Sequence, residues 1–180
     1  QAADRLARLL NVYVVLPIPN VNVIEITDLH MTLKALEGAT SVSAVCQGFI
    51  GAGIAGEALL IFNDASFTDI AQLLHYSGDL DEHGELEMLM DVANVLNGAC
   101  IQGIGEQLDI DFSQSHPIVL GQHCEISDLV KDSNAKWKRT LAIEINYTIE
   151  ARNISCDLLL LFTEDSVIHM NRLISFLLDD

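Results

Sequence analysis

Laid on itself at an offset of one hundred residues, the chain repeats without gaps, and this restricts its fold more than any other feature. "PIPNVNVIEITDL" (17–29) aligns with "PIVLGQHCEISDL" (117–129), sharing Pro17/Pro117, Ile18/Ile118, Glu25/Glu125, Ile26/Ile126, Asp28/Asp128 and Leu29/Leu129. Further on, "IAGEALLIFNDAS" (54–66) aligns with "ISCDLLLLFTEDS" (154–166). One offset shared by two separate stretches indicates an internal duplication and two related halves. With 180 residues, half of them hydrophobic, the chain suits one domain over 1–180, made of repeats at about 1–80 and 81–180.

The elements agree between the halves. Residues 11–26 and 112–126 are rich in β-branched residues and read as strands. "SVSAVCQGFIG" pairs with "TLAIEINYTIE", and "GEALLIF" with "SCDLLLLF"; Gly51–Gly53 and Ala151–Asn153 are the turns expected between them. Each half ends in a helix, with N-cap residues expected at Ser66 and near Asp165–Ser166. "KDSNAKWK" (131–138) reads as a surface loop. The expected class is α/β (α+β): a mainly antiparallel sheet with long helices packed on it and approximate twofold symmetry. The long helix of the second half, at 83–107, has only the stub "AADRLARLL" as its counterpart, so the first repeat lacks most of that helix.

Nine Lys plus Arg stand against 26 Asp plus Glu, for a net charge of −17. Such a chain lacks the basic patch that nucleic acid or an anionic membrane surface requires. A macromolecular partner should bring positive charge or a metal to the contact, and a homodimer is compatible with the composition. The longest apolar run near the end, "LLLLF" (158–162), is far short of the roughly 20 residues of a membrane span, and no signal-peptide pattern is present. Cys46, Cys100, Cys124 and Cys156 form no Cys-x-x-Cys pair and sit in apolar contexts, as buried free thiols of a cytoplasmic protein do. The chain opens on Gln1 rather than Met, and its natural beginning is expected upstream.

The segment 85–108 sorts into two faces at helical period. Leu89, Ala93, Leu96, Cys100 and Ile104 line one, flanked by Val92 and Ala99; Glu87, Asp91, Asn94, Gly98, Gln102 and Gly105 occupy the other. Asp91 and Asn94, three apart, emerge as neighbours, and Gly98 removes a side chain one turn beyond. A polar pair beside bare backbone suits a docking face. Asp and Asn at this spacing also commonly do no more than solvate a helix, and spacing alone leaves both readings open. Gly103 is expected near the core side, serving close packing.

"DVANVLNGA" (91–99) resembles the active-site helix of the CheC/CheX/FliY family of chemotaxis phosphatases, whose motif is Glu-x-x-Asn, then Gly-Ala a turn later and a Pro 23 residues beyond the Asn. Here Asn94 is followed by Gly98-Ala99, and Pro117 stands 23 residues after Asn94. The acid is Asp91, one methylene shorter than the family's Glu, and Glu87 stands where the family tends to have Asp or Ser. The resemblance implies a CheC-like fold and hydrolysis of the aspartyl phosphate of a CheY-like receiver domain. Asn94 would orient the attacking water and Asp91 would pair with the receiver's lysine. Glu87, Gly98 and Gln102 would face the partner, and Pro117 would set the strand after the helix. No cofactor of its own is implied; Mg²⁺ belongs to the receiver. The alternative is a binding module of the same fold that docks a receiver or a CheD-like protein without turnover.

Other sites have less behind them. His30, His75, His83 and His169 are scattered, and His116, His123 and Cys124 show no zinc spacing, so no metal site is expected. Gly48, Gly51, Gly53 and Gly56 surround a hairpin, and no phosphate-binding Gly-Lys-Ser/Thr loop occurs.

Overall fold

The computed structural model describes residues 20–25, 41–73, 81–125, 139–149 and 154–178. The stub helix, the 131–138 segment and the Ala151–Asn153 turn lie outside them. Among the described residues seven strands form one antiparallel sheet: β1 (Asn20–Glu25), β2 (Val42–Gly51), β3 (Ile54–Asn63), β4 (Ser113–Gln114), β5 (Ile118–Cys124), β6 (Arg139–Ile149) and β7 (Ile154–Phe162). The strand order is β1-β6-β7-β3-β2, and β4 and β5 both pair with β2. The helices are α1 (Phe67–Leu73), α2 (Glu82–Leu108) and α3 (Glu164–Leu178).

Hairpin β2–β3 closes through Ala52 and Gly53, both at positive φ (48° and 79°), the geometry that matches strand twist in a two-residue turn. In the centre of the sheet Leu59 of β3 stands opposite Leu159 of β7, so equivalent positions of the duplicated segment face each other. Outward from there, β1 pairs with β6 and β5 with β2. The opening strand of each half therefore lies against the hairpin of the other, an arrangement that closes one sheet from two half-domains.

Strand alternation sends Val45 and Phe49, Ala58, Leu60 and Phe62, and Cys156, Leu158, Leu160 and Phe162 to one face, where they form a single core with Met88, Leu89, Val92, Ala93, Leu96 and Ile101 of α2 and Met170 of α3. Phe49 meets Phe162 and Phe112 edge to face, with ring centroids 5.3 and 5.6 Å apart.

Several expectations shift. The strand expected over 112–126 is broken at Ser115–Pro117 into β4 and β5. Ser66 ends a 3-10 turn (Asp64–Ser66) that leads into α1, and the N-cap of that turn is Asn63, with Oδ1 accepting from the Ala65 N–H at 3.0 Å. At the start of α3 the capping oxygen is Thr163 Oγ1, which accepts from the Ser166 N–H at 3.2 Å. Asn63 has the extended backbone an N-cap needs, and Thr163 reaches the N–H three residues on.

Candidate functional site

Helix α2 begins at Asp81, whose carboxylate accepts from the Gly84 N–H at 2.8 Å, and Glu82 and Glu85 place negative charge in its first turn. It ends at Asp109, in the left-handed conformation (φ 54°), with the Ile110 N–H donating to Gly105 O at 2.8 Å. Between these caps the apolar stripe Leu89–Ala93–Leu96–Cys100 is buried, and Glu87, Asp91, Asn94 and Gln102 are exposed.

The glycines divide by role. Gly105, assigned to the polar face by period, is buried: a Cβ there would collide with Ile110 O, where the chain folds back over the helix end. Gly103, expected to face the core, is exposed, and among the described residues nothing lies within 4 Å of where a Cβ would sit. Ala99, placed on the apolar flank, is likewise exposed. Among the described residues a Cβ at Gly98 would meet only the Gln114 amide, at 3.8–3.9 Å, an ordinary contact. Packing among the described residues therefore does not demand glycine at position 98.

Asn94 is exposed but not loose. Gln47, only 2% exposed on β2, donates from Nε2 to Asn94 Oδ1 at 3.2 Å and to the Ser115 carbonyl at 2.9 Å. Its Oε1 accepts from Nδ2 of Asn97, which is 0% exposed. Neither Gln47 nor Asn97 was singled out by motif reasoning. The available signal was weak: Asn97 adjoins Leu96 of the apolar stripe, and Gln47 lies between Val45 and Phe49 on the inward face of β2, two amides that burial obliges to find partners. Asn97 Oδ1 has no hydrogen-bond partner among the described residues.

Asp91 lies one turn from Glu87 and, with Asn94, on the exposed side. Partial loss of hydration, and then the Glu87 charge, raise its pKa above the ordinary 3.8. A carboxylate so placed gains from an incoming cation. Gln102 donates to Glu106 at 3.0 Å. Beyond Gly98 a cleft of about 520 Å³ follows the end of α2, lined in part by Gln102, Glu106, Asp109, Asp111 and Gln114. Pro117 sits immediately before β5.

The first turn of α2 is held elsewhere. His123, at a positive φ of 51° where β5 shifts register against β2, sets Nδ1 3.0 Å from Asp64 and Nε2 2.9 Å from Glu85. Ser41 and Ser43 donate to the same Asp64, and Gln122 donates to Glu85. Both ring nitrogens face carboxylates, and the hydrogen bonds to Glu85 and then Asp64 raise the His123 pKa above 6.5. Cys124, next in sequence, donates from Sγ to the Val42 carbonyl at 3.6 Å. Among the described residues no group of three or more His, Cys, Asp or Glu side chains is arranged to hold a metal, and no helix is long and apolar enough to cross a membrane.

No protein-family model matches the sequence, and no curated protein sequence matches it. Solved structures do match in three dimensions. FliY of Thermotoga maritima is 19% identical, with a TM-score of 0.62 over 97% of this chain and 88% of that one. A chemotactic CheC-like protein of Shewanella oneidensis is 13% identical, with a TM-score of 0.55 over 89% and 94%. FliM in the FliM–SpeE complex of H. pylori is 12% identical, with a TM-score of 0.55 over 97% and 88%. The fold is that of the CheC-like and FliY chemotaxis proteins, and FliM shares it.

Proposed function

We propose that this protein is a cytoplasmic phosphatase of a CheY-like receiver domain in a chemotaxis or related two-component pathway. The observation that carries the reading is Asn94: an exposed carboxamide pinned at its oxygen by a buried glutamine, one turn from Asp91 and beside the bare backbone of Gly98.

An aspartyl phosphate needs no strong base. It needs a water in line behind phosphorus and compensation of the charge on the phosphoryl oxygens. The water oxygen forms the new bond to phosphorus, the aspartyl carboxylate leaves, and the water's proton ends on the released phosphate. Mg²⁺ and a lysine of the receiver neutralise charge. Asn94 supplies the missing part, because a carboxamide accepts from water through its oxygen and donates through its nitrogen. Asp91, whose charge is unfavourably placed in the free protein, pairs with the receiver's lysine and sets the register. Glu87 and Gln102 flank the contact, and Gly98 admits the receiver's surface. A net charge of −17 is compatible with this contact, because Asp91 meets a cation and not the phosphate.

A second reading is a docking module without turnover, for a receiver or a CheD-like protein. Asp91 in place of the longer Glu favours it, as does the structure of FliM, a protein of the same fold, in complex with SpeE. Substoichiometric protein added to a phosphorylated CheY-type receiver with Mg²⁺ separates the two. Accelerated decay is expected; tight binding with unchanged decay across several receivers would leave only the docking module.

A further inference from the structure

Two asparagine amides and one carbonyl converge on the buried amide of Gln47: Asn94, Asn97 and the Ser115 carbonyl. We infer that Gln47 is the positioning residue of the site, fixing both the place and the direction of the Asn94 amide; its effect on rate rests on the phosphatase reading above.

The direction follows from donor and acceptor chemistry. A carbonyl only accepts, so the Ser115 oxygen requires Nε2 of Gln47 to face it. Ser115 is itself fastened to β2, its N–H donating to Gly48 O at 2.9 Å and its Oγ accepting from the Gly48 N–H at 3.0 Å. With Nε2 so placed, Oε1 receives the Asn97 amide, and the second Nε2 hydrogen faces Asn94. A reversed Asn94 would set its NH₂ against that of Gln47, donor against donor. Asn94 is thereby held with Oδ1 inward, leaving both Nδ2 hydrogens and one Oδ1 lone pair for a water outside.

Gln47 is 2% exposed, so it reaches the surface only through the groups it bonds, and of these Asn94 is the side chain on the exposed face of α2. An unheld Asn on a helix surface samples several rotamers, and a water-orienting group that wanders loses the near-attack geometry on which rate depends. The surface at Glu87, Asp91 and Gly98, which meets the receiver, is untouched by Gln47.

The test combines side-chain amide NMR with kinetics. In the wild-type protein the Asn94 NH₂ group is expected to be ordered, in contrast to the exposed Gln107. An Asn94 amide as mobile as that of Gln107 would overturn the inference without any variant. In Gln47→Met, which keeps length but neither donor nor acceptor, that order is lost; kcat falls between about tenfold and a hundredfold, and KM for the phosphorylated receiver holds. Retained Asn94 order in the variant, or a loss confined to KM, would overturn it. Decay insensitive to Asn94→Ala, with Asn94 ordered by Gln47, would retire the hydrolytic reading while upholding the positioning.

Discussion

Asp91 and Glu87 stand one turn apart on the exposed side of α2, and the raised pKa of Asp91 marks a charge that the free protein holds at a disadvantage. Its folded-state pKa lies above the ordinary 3.8, so the ionised form opposes folding above that raised value and the penalty disappears as pH falls through it. Asp91→Asn should therefore stabilise the protein at pH 7 by a few tenths of a kcal/mol, the modest size reflecting solvent screening. Urea unfolding should show the gain shrinking toward zero below the ordinary aspartate value, and the variant should bind the receiver less well. Gly98 makes a companion case. Ala fits there without collision and is the better helix former, so Gly98→Ala should raise stability by about 0.8–1.0 kcal/mol. Thermal melts should show that rise together with weaker receiver docking; a gain in stability with unchanged docking would contradict the role given to the bare backbone. These residues were legible from Asp-x-x-Asn and the following Gly-Ala. The amides of Gln47 and Asn97 that support them were not, because the support crosses from α2 to β2 and no spacing in the chain encodes that contact.

At the scale of elements, α2 is held at its first turn by the doubly bridged ring of His123 and at its far end by the reversal over Gly105. The imidazolium form donates from both nitrogens; the neutral ring leaves one lone pair facing a carboxylate. The folded pKa is raised, so this contribution is complete below the ordinary value of 6.5 and is lost as pH rises through the higher folded value. His123 is 48% exposed, which limits the effect to no more than about 1 kcal/mol. Amide exchange, corrected for its intrinsic pH dependence, should show the first turn of α2 losing protection across that window, and His123→Gln should abolish the dependence. The helix itself was readable, because its 3.6-residue period is carried by residues that are in fact buried. The bulge in β5 was not: a register shift that turns one histidine toward two carboxylates leaves no mark in the pattern of apolar residues.

At the scale of the whole molecule, the duplication gave the class of fold and the hairpins, and the sheet places equivalent leucines, Leu59 and Leu159, face to face at its centre. What the duplication did not reveal is that each opening strand pairs with the opposite hairpin, since a repeat specifies elements and not their partners. Strands β3 and β7 have neighbours on both sides, and Leu60, Leu158 and Leu160 are all 0% exposed. Their amides should exchange only through global unfolding, whereas the two-residue β4 should open far more readily. Hydrogen exchange with mass spectrometry resolves the two. The site draws on this plan, because Asn94 rides on α2 while the groups that aim it come from β2 and the segment between β4 and β5.

The central claim is that Asn94 orients a water on the receiver's phosphoryl group, and the most direct measurement is dephosphorylation of a Mg²⁺-loaded, phosphorylated receiver at saturating Asn94→Ala, with binding followed in the same samples. The account predicts decay at the receiver's own rate while the complex still forms. Decay as fast as with the wild-type protein would contradict it.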